Sequence, residues 1–123
     1  MSNTEPFSLA KRLKSFVYAF RGVSVLLKTQ HNAWIHLLAT VLVVALGWYL
    51  SVTQIEWLFL SLAITLVWVC EALNTAVEYL ANAVSTEFDK NIMHAKDVAA
   101  GGVLLAALGA IVVAALVFIP YLF

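Results

Sequence analysis

The chain has 123 residues, 63% hydrophobic and 11% charged, with a formal net charge of zero and a mean hydropathy of +0.95. Soluble domains are about half apolar and about a quarter charged, so this composition excludes an ordinary soluble domain and indicates one small integral membrane domain over residues 1–123. The lack of a basic surplus argues against nucleic acid as a partner, and a single cysteine, Cys70, excludes an intrachain disulfide.

The first thirty residues are mixed and amphipathic, without an apolar stretch followed by a small-residue cleavage site, so no cleavable signal is expected. Within them, residues 8–28 are predicted to form a surface helix. Leu9, Leu13, Phe16, Val17, Phe20, Val23 and Leu27 make one apolar stripe at 3–4 residue spacing, with Lys11, Lys14 and Arg21 off it. That is the pattern of an amphipathic helix lying in a membrane interface; packing on the protein's own bundle is the alternative.

Three spans follow, at residues 33–50, 55–84 and 98–122. Each meets or approaches the roughly 20 apolar residues needed to cross a bilayer. The connection Ser51-Val52-Thr53-Gln54 is short enough to force the first two spans into an antiparallel hairpin. The second connection, about Ser85 to Lys96, reads as longer and polar. Lys11, Arg12, Lys14, Arg21 and Lys28 precede the first span, and Lys90 and Lys96 fall in the second connection. The basic residues therefore place the N-terminus and that connection on the cytoplasmic side and the C-terminus outward. Trp48, Tyr49 and Trp57 fit an aromatic belt at the outer boundary. Gly102, Ala106, Ala110 and Ala114 lie in one line on the third span, as an oligomer seam or an intrachain contact would require.

The second span carries the chemistry. Glu71, Asn74, Thr75, Glu78 and Asn82 are spaced i, i+3, i+4, i+7 and i+11 and share one helical face. Ionisable groups in a span are costly and mark function by default. A helix of about 30 residues is about 45 Å long, against a hydrocarbon core of about 30 Å. With Ile55 at the outer boundary, Glu71 falls near the inner boundary and Glu78 beyond it. Lys96-Asp97 follows before the third span.

Acids near a base at a membrane surface suit phosphoryl transfer. That reaction needs Mg²⁺ on the phosphates, a cation on the transferred group and a residue to take the acceptor's proton. Glu71 and Glu78 differ by about 10 Å of helical rise, which favours one as metal ligand and the other as base. Lys96 suits a phosphate, and Asn74 suits an acceptor or a neighbouring carboxylate. Each has a plainer reading. The two acids could form a structural pair, Asp97 stands where a helix N-cap belongs, and Lys96 could be a positive-inside anchor. His36 reads as a hydrogen-bonded contact between helices. His31 and His94 have no partner at zinc-ligand spacing.

At these residues the chain resembles the prokaryotic diacylglycerol kinases, a family that includes undecaprenol kinases. The resemblance runs from about Arg12 to Leu116. It rests on Glu71-Ala-Leu-Asn74-Thr75-Ala76-Val77-Glu78, which is similar to E-x-x-N-[ST]-A-[IV]-E, and on Ala95-Lys96-Asp97-Val98-Ala99-Ala100-Gly101, which is similar to A-K-D-x-[AG]-[AS]-[AG]. Weaker matches are Ser15-Phe16 with Ala19 and Gly22, and Asn32 with Ile35-His36. The resemblance implies an ATP- and Mg²⁺-dependent lipid kinase of the inner membrane, a homotrimer with active sites shared between subunits. By it Glu71 is the general base and Glu78 binds Mg²⁺. Asn74, Lys96 and Asp97 complete the site with Lys96 on the phosphates, and Lys11 or Arg12 helps hold the nucleotide. Gln30 stands where the family usually has a metal-binding Glu, Asn82 where it usually has Asp, and Trp34 where Arg is frequent. Two lost carboxylates allow an alternative, a weakened or inactive member serving as a membrane scaffold or regulatory subunit. An ion conduit is disfavoured, since the acids cluster at the inner end of the span. The acceptor is expected to be undecaprenol or diacylglycerol, with the Ala99-Ala100-Gly101-Gly102 run closer to the undecaprenol branch.

Overall fold

A computed structural model describes residues 5–123. Its regular elements are four α-helices: α1 (Leu9–Thr29), α2 (His31–Leu50), α3 (Gln54–Val84) and α4 (Lys90–Leu122). The last three are long and apolar enough to cross a membrane. This is the expected all-α integral membrane architecture with an amphipathic helix ahead of three spans.

Local chemistry sets the helix ends. Ser8 caps α1 by accepting from the Lys11 backbone N–H. Gln30, in extended conformation, is the single residue that separates α1 from α2, and the Trp34 indole donates to the Leu27 carbonyl at 2.6 Å across this corner. Helix α2 ends at Ser51, whose φ of 53° and ψ of 50° are left-handed. Two residues on, Thr53 and Glu56 form a reciprocal capping box at the start of α3, satisfying two amide donors that a helix start would leave free.

Helix α4 corrects the expected boundary. It begins at Lys90, not near Val98, and its N-cap is Asp89, whose carboxylate accepts from Asn91 and Ile92 at 2.8 and 3.1 Å. Asp97 is therefore not a cap. It lies with Lys96 in the second turn of a continuous helix, and the connection shrinks to residues 85–89. Hydropathy marks where a chain enters lipid; the helix itself extends beyond the lipid as far as its cap allows.

Helices α3 and α4 run antiparallel along their length. Tyr121 donates to Glu56 at one end and Lys96 donates to Asn82 at 2.8 Å at the other. A small core of Val52, Leu60, Val117 and Phe118 closes the Tyr121 end. There α2 approaches α3 through Gly47; a Cβ at that position would come within 2.7 Å of the Trp57 ring. Elsewhere Leu38, Leu42, Leu62, Leu66, Leu105 and Ile111 remain exposed, a surface that suits lipid or another membrane helix and not water.

Candidate active site

The polar face of α3 turns inward at its centre and opens towards its C-terminal end. Glu71, Asn74 and Thr75 are buried, with Glu71 only 1% exposed, whereas Glu78 is half-buried and Asn82 exposed. Unpaired polar groups at such positions are costly, and the local structure satisfies only some of them.

Among the described residues, His36 of α2 is the one side chain that hydrogen-bonds to Glu71. Its Nε2 lies 3.2 Å from Glu71 Oε2. When Glu71 is ionised its carboxylate only accepts, and the imidazole Nε2–H is then the donor. Trp68 packs against the imidazole and is itself anchored to α2. The Trp68 ring meets the imidazole edge-on at 6.2 Å between centroids. The Trp68 indole donates to Thr40 at 3.0 Å, and Thr40 donates to the His36 carbonyl at 2.7 Å. The second carboxylate oxygen, Glu71 Oε1, has no hydrogen-bond partner within the chain, nor do Asn74 Oδ1 and Thr75 Oγ1. Three uncommitted acceptors within about one helical turn form a site ready for donors, among them an alcohol hydroxyl.

A second polar station lies at the C-terminal end of α3. A surface cavity of about 690 Å³ is lined by Asn82, Ser85, Glu87, Asp89, Lys96 and Asp97, among others. Lys96 is half-buried and Asp97 exposed. Because Asn82 is neutral, its bond to Lys96 is a hydrogen bond and not an ion pair. An acid at that position would have formed an ion pair. The cavity thus sets one lysine among the carboxylates of Glu87, Asp89 and Asp97.

The expected site residues are therefore arranged in a row. Glu71, Asn74 and Glu78 descend one face of α3, and Lys96 and Asp97 of α4 meet that face at Asn82. Glu71 and Asn82 are separated by about 16 Å of rise, so the chain does not gather its base and its lysine into one pocket. Gln30 sits half-buried at the α1–α2 corner, where its amide donates to Thr29 at 3.3 Å. Lys11 pairs with Glu5, and Lys11 and Arg12 are exposed in the opening turns of α1. It is the later part of α1 that meets α3: Ala19, Gly22 and Leu26 face Ala72, Thr75 and Ala76 across a hollow of about 390 Å³.

For Mg²⁺, no cluster of three or more His, Cys, Asp or Glu side chains occurs among the described residues. That donor set suits an ion that takes one or two carboxylates and fills its octahedron with water and phosphate oxygens. It does not suit one caged by protein alone. Of the two expected ligands, Glu78 lies on α3 and Gln30 at the α1–α2 corner.

Sequence reasoning identified the α3 face and expected His36 to make an interhelical hydrogen bond. It did not identify Glu71 as the partner, nor the support from Thr40 and Trp68, nor the Asn82–Lys96 bond. The only available signal was that His36, Thr40 and Trp68 are polar-tipped residues in otherwise apolar spans.

The fold defines a helical protein with three helices long and apolar enough to cross a membrane, one of them carrying a buried polar face. Residues 17–118 match the family described as prokaryotic diacylglycerol kinase, and the chain belongs to that family and is by that membership a lipid kinase. It is 32% identical over 114 residues to the undecaprenol kinase of Bacillus subtilis (strain 168), covering 93% of both chains. It is 39% identical over 109 residues to the diacylglycerol kinase of Synechocystis sp., covering 88% of this chain and 62% of that relative.

Proposed function

We propose that this protein transfers the γ-phosphoryl group of ATP to the hydroxyl of a membrane lipid, undecaprenol or diacylglycerol, at the cytoplasmic face of the bacterial inner membrane. The observation that carries this reading is the buried Glu71 carboxylate, held through one oxygen and uncommitted at the other. In the proposed step the lipid oxygen forms a bond to the γ-phosphorus while its proton passes to Glu71 Oε1. The bond from that phosphorus to the β–γ bridging oxygen breaks, ADP leaves, and Glu71 then releases the proton to water.

Around this step Asn74 orients the acceptor. Lys96 places its charge on the phosphates, with Asp97 beside it, and Lys11 or Arg12 helps hold the nucleotide. Glu78, with Gln30 as a neutral companion, would hold Mg²⁺, which when bound neutralises phosphate charge. Helix α1 lies in the interface, and its basic residues favour the cytoplasmic side. The distance between the Glu71 and Lys96 stations supports a homotrimer in which neighbouring subunits complete each other's sites.

Overlap across almost the whole length of the undecaprenol kinase relative favours a polyprenol acceptor. Incubating the purified protein with labelled ATP, Mg²⁺ and either lipid tests this. Label is expected in undecaprenyl phosphate at a kcat/KM above that for diacylglycerol. Transfer to neither lipid would favour a second reading, supported by the neutral Gln30 and Asn82, in which the chain is a scaffold or regulatory subunit.

A further inference from the structure

Among the described residues Glu71 is the least exposed charged side chain, and no lysine or arginine meets it. Its one partner is a histidine from another helix, bonded to Oε2 at 3.2 Å, while Oε1 has none. A free carboxylate can rotate about its last torsion and present either oxygen. A donor fixed on one oxygen removes that freedom and decides which oxygen is left for a substrate.

The histidine is positioned for this. It stands in α2 with 16% of its side chain exposed, its ring set edge-to-face with that of Trp68, and Trp68 is itself fixed to α2 by its indole bond to Thr40. The groove on its other side is walled by Ala107, Ala110, Ile111 and Ala114 of α4, which carry no titratable group. From α3 the titratable group facing it is Glu71. Among the described residues no other side chain bonds to the Glu71 carboxylate.

We infer that His36 is a positioning residue of the acceptor site: its Nε2–H pins Glu71 Oε2, so that Oε1 alone receives the lipid hydroxyl's proton. The role rests on the reading of Glu71 as general base. It makes no contact with the reacting atoms and acts wholly through the carboxylate. The α2–α3 pairing thereby becomes part of the chemistry, because the imidazole and the carboxylate belong to different spans.

The test is steady-state kinetics of the full-length protein with undecaprenol and MgATP, in four variants alongside wild type: His36→Leu, His36→Gln, Glu71→Gln and the double variant His36→Leu/Glu71→Gln. Leu fills much of the space without a donor, while the Gln amide brings an N–H to nearly the same reach. His36→Leu is expected to lower kcat on the order of 10–100-fold, the range for supporting hydrogen bonds behind a reactive group. Both KM values should stay within about twofold, since binding is not what is lost. His36→Gln is expected to recover most of the rate, and His36→Leu to add nothing once Glu71→Gln is present. Thermal unfolding in detergent accompanies each variant; if His36→Leu fails to assemble, His36→Met is the second donor-free replacement. A wild-type kcat in the donor-free variant, or His36→Gln as slow as His36→Leu, overturns the inference while leaving Glu71 as base. So does an equal further loss in the Glu71→Gln background. Wild-type turnover in Glu71→Gln alone would remove the base assignment and the inference together.

Discussion

The Gln30 amide donates to Thr29, and its proposed part as a neutral companion of Glu78 at the metal is open to direct test. Restoring a carboxylate with Gln30→Glu is expected to lower the Mg²⁺ concentration for half-maximal activity by roughly tenfold, the effect of one added charge near the ion after solvation is discounted. Glu78→Gln is expected to raise it. A Mg²⁺ titration of turnover checks both, and an unmoved midpoint in an active Gln30→Glu protein would place residue 30 away from the ion. Lys96 gives a separate prediction. Its contact with Asn82 is neutral, which leaves the ammonium able to take a phosphate oxygen, so Lys96→Met should raise the KM for ATP more than that for lipid. The Glu71, Asn74 and Glu78 set was legible because helical spacing alone puts those residues on one face. The His36–Glu71 and Lys96–Asn82 bonds were not, because they depend on how α2 and α4 are registered against α3. Local sequence does not encode that register.

The helix ends separate capping from catalysis. Asp89 caps α4 and Asp97 lies within it, so Asp89→Ala should cost about 0.5–2 kcal/mol and fray the first turn of α4. Asp97→Ala should leave that turn intact and reduce activity. Hydrogen exchange at Asn91 and Ile92 together with turnover distinguishes the two. At the other end of the molecule Ser51 is strained in the left-handed region. Ser51→Gly is expected to stabilise by roughly 0.5–1 kcal/mol, the relieved Cβ clash less the entropy of glycine. Gly47→Val should destabilise by about 1–3 kcal/mol as an added side chain meets Trp57. Melting in detergent measures both. The three spans were legible from apolar length. The start of α4 was not, because its first two turns are polar and resemble a loop until Asp89 is recognised as their cap.

The whole chain buries few of its large apolar side chains, and the polar face of α3 is its main inward polar feature. Membrane class followed from composition alone, since no soluble fold tolerates so little charge. Subunit assembly was not legible, because lipid and a neighbouring helix make the same demand of an exposed leucine. The orientation set by the basic residues predicts that a cysteine at Thr53 reacts with an impermeant thiol reagent added outside, in a Cys70→Ser background, and that one at Lys90 does not. The reverse would separate Lys96 and Asp97 from cytosolic ATP. The central claim is that Glu71 takes the acceptor's proton. Its most direct test is the turnover of Glu71→Gln with undecaprenol and saturating MgATP, alongside nucleotide binding by the same protein. A loss in kcat on the order of 10²–10⁴-fold with ATP affinity retained is the result this account predicts. Wild-type turnover in a correctly assembled Glu71→Gln protein would contradict it.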